Sequence, residues 1–226
     1  MNRHTSHFIA AFGLLISTTA SQAAFIGPSP YLCFDGNVTA GCTAGTNDSP
    51  FASEDFGTGY FHLEDFEDGL ANSTGMTATG GAVAINISII DSVDEDTDGV
   101  NGSGLAGACY FSASGSAGVG FSFDAGVLGL LPTHVGVVWT DGAFLNEVTF
   151  EAFDAANNSI GTLVAGTGNP PTIGDNSFNG GTAEDRFFGL THAAGIARIH
   201  MRNSVLFVGS SGIEVDHVQY GNPTNQ

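Results

Sequence analysis

The segment Ala82–Asp91 reads AVAINISIID, and its alternation constrains the fold more than any other feature of the chain. Val83, Ile85, Ile87 and Ile89 fall on one face, with mostly small or polar residues between them. That is the period of a half-buried strand, because successive side chains of a strand point to opposite faces. Shorter runs of similar character recur at Tyr60–Asp68, Cys109–Phe111, Val119–Phe123, Thr133–Thr140, Asn146–Phe153, Ser159–Val164, Arg186–Leu190, Gly195–Arg202, Val205–Val208 and Gly212–Tyr220. Glycine, proline and asparagine punctuate them, and 33 glycines are available for turns. Thr133–Thr140, Asp141-Gly142 and Asn146–Phe153 read as two successive antiparallel strands joined by a turn.

About ten short strands without an amphipathic helix predict an all-β domain. The expected architecture is a two-sheet antiparallel sandwich of jelly-roll type, with a concanavalin-like sandwich as the alternative. At 226 residues, with 18 phenylalanines, the chain can bury one substantial core.

The ends divide as follows. Arg3, the apolar run Phe8–Ala20 and the small residues around Ser21-Gln22-Ala23 read as an export signal over residues 1–23. The apolar run is short for a membrane span, and no later stretch is apolar for long enough to serve as one. Residues 24–57 lack periodicity and are expected to form an extended arm, 58–221 the sandwich and 222–226 a polar tail. Export places the protein outside the cell, where disulfides persist. Cys33 and Cys42 bracket a turn-rich segment and are expected to pair, whereas Cys109 in an apolar run reads as a buried thiol.

The formal net charge is −19, and all four basic residues are arginines: Arg3, Arg186, Arg198 and Arg202. This balance excludes nucleic acid, whose binders need cations to displace phosphate counterions. It equally disfavours anionic membrane surfaces. It suits a cation or a polysaccharide.

Two acidic constellations point to Ca²⁺. In Asp91-Ser-Val-Asp94-Glu95-Asp96-Thr-Asp98-Gly99-Val-Asn101, the residues Asp94, Asp96, Asp98 and Asn101 offer oxygen ligands spaced for a hard cation. Position twelve of an EF-hand falls on Leu105, so the loop is not one. The second set joins Glu67, from the Glu64–Asp68 cluster, to Glu214 and Asp216. In a jelly roll the first and last strong strands commonly lie side by side, and carboxylates meeting there would be relieved by a divalent ion. Alternation puts Glu214 and Asp216 on one face and Ile213, Val215 and His217 on the other.

For a ligand, Arg198, His200 and Arg202 share one strand face, as do Glu147 and Glu151. Cross-strand ion pairing between the two sets is one reading, and a groove for an acidic sugar is the other. Trp139, the only tryptophan, could stack on a pyranose, but it alternates with Val135 and Val137 as a core residue does. Glu147 and Glu151 stand roughly 13 Å apart along a strand, too far for a retaining glycosidase pair. No nucleophile elbow, His-Glu-x-x-His motif or phosphate loop is present.

The stretches FEDG, VTFEAFDAANNSIG, AEDRFFGL and GIEVDHVQYG resemble those of secreted bacterial β-sandwich exoproteins, many of which carry the PEP-CTERM sorting tail. They are also similar to calcium-stapled carbohydrate-binding modules. The Pro-Glu-Pro motif of that tail does not occur, so sorting by that route is not expected. The resemblance implies a secreted, non-catalytic protein that binds polysaccharide or matrix glycan. A glycan-active hydrolase or lyase and a purely structural matrix component are the alternatives.

Overall fold

The computed structural model describes residues 22–31, 34, 47–85, 92–93, 107–142, 147–166, 185–203 and 212–224. These residues form a two-sheet antiparallel sandwich of jelly-roll type. One sheet, here sheet A, runs in the order β1 (Ala24–Pro30), β10 (Arg186–Thr191), β7 (His134–Asp141), β12 (Ile213–Asn222), β5 (Ala108–Ser112) and β4 (Ala82–Ile85). β2 (Tyr60–Glu64) also pairs with β12. Sheet B runs in the order β3 (Met76–Thr79), β6 (Val119–Phe123), β11 (Arg198–Asn203), β8 (Glu147–Phe153) and β9 (Ser159–Gly166). A single helical turn, Ala125–Leu128, follows Asp124, whose Oδ1 accepts the Gly126 N–H at 2.7 Å.

The core between the sheets follows from the alternation. Val135, Val137 and Trp139 of β7 face Val148, Phe150 and Ala152 of β8 within one buried cluster. The two strands therefore lie in different sheets. The expected hairpin is therefore not formed: β7 belongs to sheet A and β8 to sheet B. Two half-buried strands can meet either side by side or face to face, and the turn dipeptide does not distinguish these.

The first part of the N-terminal arm is a strand: Ala24–Pro30 is the edge strand of sheet A, paired with β10 from Ala24↔Thr191 to Pro30↔Arg186. Its register shifts between Ile26 and Ser29. A glycine and two prolines hide the strand period, and an edge strand tolerates proline because one row of its N–H groups needs no partner. Further along, Tyr31 and Phe51 form a second apolar cluster with Val93, Val138 and Phe187. Val138 points away from the Val137 side of β7, so this cluster covers the outer face of sheet A.

β12 lies within sheet A, and every residue of it is buried. It pairs with β7 on one side. On the other it pairs first with β5, over Ile213–Val215, and then with β2, over Val218–Asn222. Between these partners the register against β7 shifts and His217 takes φ 44°. The shift changes which residues face inward. Ile213 and Val215 belong to the inner core, as do Val218 and Tyr220. His217 instead packs edge-on to Tyr31 and Phe34 on the outer side. The expected grouping of His217 with Ile213 and Val215 fails for that reason.

Cys109 is buried in β5. Cys33 and Cys42 lie outside the described residues, as do residues 1–21 of the expected export signal and Val205–Val208. Among the described residues, no helix is long and apolar enough to cross a membrane.

Candidate functional site

The three residues of the basic stripe come together on the outer face of sheet B. Ile199 and Met201 of β11 point into the core, which turns Arg198, His200 and Arg202 outward. The partner strand β8 sets Phe153 opposite Arg198, Glu151 opposite His200 and Thr149 opposite Arg202. The Arg198 guanidinium stacks on the Phe153 ring with Cζ 3.5 Å from the centroid. Its Nη2 donates to Asn157 Oδ1 at 3.0 Å. Among the described residues, no carboxylate forms an ion pair with Arg198 or Arg202; the one ion pair there joins His134 and Glu54. The expected cross-strand Arg–Glu pairing is therefore not formed, although Glu147 and Glu151 lie on the neighbouring strand. Phe153 and Asn157 hold Arg198 in place, and neither could be assigned that role before the β8–β11 register was known.

His200 Nε2 lies 3.0 Å from the Ala117 carbonyl, which can only accept, so Nε2 carries the proton. Burial lowers the pKa of this imidazole. The Ala117 bond opposes the shift, the charges of Arg198 and Arg202 add to it, and Glu151 opposes it. His62 is lowered by burial as well, and so is His134, against the opposing charge of Glu54. A histidine whose pKa is depressed on folding stabilises the fold above its unfolded value, and that contribution is lost as pH falls through the folded value. Melting temperature is therefore expected to decline as pH drops below about 6.5, before carboxylates begin to titrate. His200→Gln, which retains a donor for Ala117, should flatten this decline. A melting temperature that stayed level between about pH 7.5 and 5.5 would contradict it.

Trp139 does not join this face. It is 1% exposed and lies in the inner core, so no sugar can stack on its ring. Its Nε1 has no hydrogen-bond partner.

The acidic residues resolve into two kinds. In the Glu64–Asp68 cluster, several carboxylates build a turn. Glu64 accepts the Phe66, Asn72 and Ser73 N–H groups, Asp65 the Glu67 N–H and Asp68 the Leu70 N–H. Glu67 accepts the Ala108 N–H at 2.6 Å. Glu214 and Asp216 are buried on β12, with Asp141 of β7 in register with Glu214. Asp216 accepts the Val93 N–H at 2.9 Å through Oδ2 and the His217 N–H through Oδ1. Among the described residues, no group of three or more His, Cys, Asp or Glu is placed to hold a metal ion. Glu67 is turned to the start of β5, where it accepts the Ala108 N–H, whereas Glu214 and Asp216 alternate with the inward-facing Ile213 and Val215. Asp94, Asp96, Asp98 and Asn101 lie outside the described residues. The chain enters that loop from Val93, whose amide is tied to Asp216.

No protein-family model matches the chain, and no curated protein does. Among solved structures, it is similar to the K1 cleaved adhesin domain of Lys-gingipain from Porphyromonas gingivalis W83. Identity there is 16% and the TM-score 0.40, over 71% of this chain and 97% of that one. For the K2 cleaved adhesin domain of Lys-gingipain, identity is 10% and the TM-score 0.44, over 71% and 99%. The enzymatically active domain of bacteriophage CBA120 tailspike protein 4 gives 11% and 0.29, over 83% of this chain and 23% of that one. At these scores, no residue or activity of those proteins is carried over to this chain.

Proposed function

We propose that this protein is a secreted, non-catalytic binding domain whose sheet B outer face holds a carboxylated polysaccharide. One observation carries the reading. In a chain of net charge −19, Arg198 and Arg202 share an open strand face, yet no described carboxylate pairs with either. Arginines that served only to balance charge would be expected to pair with the nearby glutamates. A guanidinium left open instead offers paired donors to an incoming carboxylate, and the Phe153 stack fixes the orientation of Arg198. An outward-facing β-strand surface suits an extended polymer better than an enclosed small molecule. Export fits the leader-like segment 1–23, since β1 begins at Ala24.

The reading includes Ca²⁺ as a stabilising ion. The Asp216–Val93 hydrogen bond leads directly into the acidic loop, whose Asp94, Asp96, Asp98 and Asn101 would supply the oxygen ligands.

The test is retention on alginate and polygalacturonate, with cellulose as the neutral control, in calcium and then in chelator. Retention on the acidic polymers should fall with salt. It should weaken roughly tenfold for each of Arg198→Gln and Arg202→Gln, the scale of one charge-assisted contact. Chelation should lower the melting temperature. Equal retention by a folded double variant would sink the binding face. Release of reducing ends would instead mark a hydrolase or lyase, and self-association without retention a structural component.

A further inference from the structure

On the other side of the sandwich, the outer face of sheet A carries a cleft of about 210 Å³. Phe34, Phe51, Phe56 and Phe61 line it, with Asn47 and Glu54 among its polar groups. We infer that this cleft is a receptor for a small organic cation, a methylated ammonium head group held by the phenyl rings and the Glu54 carboxylate.

The size sets the class of ligand first. The volume is below the ~300–1,000 Å³ of sites that take drug-sized molecules, so a compact group fits and an oligosaccharide does not. The walls set the shape. The Phe56 and Phe61 rings are 5.0 Å apart and inclined at 42°. Phe51 and Phe56 each stand close to perpendicular to the His134 ring. The rings on its wall are inclined to one another rather than coplanar, and a pyranose prefers one flat platform. An alkylated ammonium is rounded and weakly hydrated, and aromatic rings attract it through their quadrupoles.

Charge completes the argument. The Glu54 side chain is 45% exposed, and its described ion contact is His134 Nε2 at 4.0 Å. Burial lowers the pKa of that imidazole against the opposing charge of Glu54, which disfavours the protonated form that would offset the carboxylate. The field of a chain with net charge −19 also draws cations and repels anions. A hard metal ion would demand a shell of oxygen ligands, and this cleft offers mainly carbon.

The cleft is also braced from behind. Ser49, on its wall, donates to Gln219 Oε1. Gln219 Nε2 donates to the Tyr31 hydroxyl at 2.8 Å, which lies 3.2 Å from His217 Nδ1. The Phe34 ring packs edge-on to that same imidazole. Walls fixed before the ligand arrives spare the cost of ordering them on binding.

The test is a titration of the full chain with choline chloride, followed by calorimetry and by the aromatic proton NMR signals. Neohexyl alcohol, the uncharged carbon isostere of choline, and sodium chloride at matched ionic strength are the comparisons. Choline should saturate and shift phenylalanine ring signals. Neohexyl alcohol should bind roughly tenfold more weakly, because it retains shape and apolar area but loses the charge. Glu54→Gln should weaken choline severalfold without moving the melting temperature, and Phe61→Leu should weaken it while leaving the fold intact. Equal affinity for the isostere would overturn the inference, as would ring shifts no larger than those from sodium chloride. Full choline affinity in both variants would overturn it too.

Discussion

Glu64→Ala is expected to lower the unfolding free energy by about 3–4 kcal/mol, one of the two largest single-site effects predicted for this chain. Glu64 is 3% exposed and accepts three backbone N–H groups. Oε1 takes Phe66 at 3.1 Å, and Oε2 takes Asn72 at 2.7 Å and Ser73 at 2.8 Å. A hydrogen bond to a charged acceptor contributes about 1.5–3 kcal/mol net. The sum is discounted because Asn72 is exposed and water can replace its partner. The Phe66 amide has no such recourse. Phe66 is fully buried at φ 58° and stacks on Tyr110 with centroids 5.7 Å apart. A bulky residue in the left-handed region persists only where its surroundings hold it there, and Glu64 supplies part of that hold. Glu64→Gln should cost less than alanine, since one oxygen remains, but its amide group faces donors and cannot replace the second. Urea unfolding of the two variants measures both effects. A loss under about 1 kcal/mol for alanine would show that water substitutes for the carboxylate throughout.

That carboxylate illustrates what was legible and what was not. The stretch Glu64–Asp68 announces a concentration of negative charge, and charge alone suggests a cation. Yet a carboxylate accepts N–H groups as readily as it ligates metal, and only the path of the chain shows which it does. Here the path runs through a tight turn, and Glu64, Asp65 and Asp68 are used on its amides. By contrast, the adjacency of the first strong strand and the last was correctly expected, and β2 does lie on β12. Strand positions were readable wherever alternation was clean, as in Val119–Phe123. Ala24–Pro30 and Met76–Thr79 carry no such signal, the first interrupted by glycine and proline and the second only four residues long. The register shift at His217 was invisible for a different reason. Nothing in Asp216-His-Val-Gln219 marks a change of face; the change occurs where β12 exchanges β5 for β2 as its partner.

The same dependence on long-range pairing underlies the second large effect. Phe187→Ala should cost about 3–5 kcal/mol, the range for deleting a buried aromatic ring. Phe187 is fully buried on the outer face of sheet A. Its ring lies over Gly136 and Gly189, which are opposite each other on β7 and β10. A Cβ at Gly136 would come within 2.1 Å of the ring, and one at Gly189 within 2.5 Å. The two glycines thus leave a shelf that one phenyl ring fills. Tyr31 stacks on that ring at 5.9 Å and 16°, and Phe51 meets it edge-on at 5.5 Å. Removing the ring leaves a cavity floored by glycines, which have no side chain with which to collapse into it. The loss should also be local. Amide exchange at Tyr31 and Phe51 should accelerate before that at Val137 and Val215, because the inner core does not use Phe187. Phe187→Leu should recover much of the stability by refilling the shelf. If alanine destabilised the inner strands and the outer cluster equally, the two faces of sheet A would unfold as one unit. The N-terminal segment would then be as much a part of the cooperative fold as β12 itself.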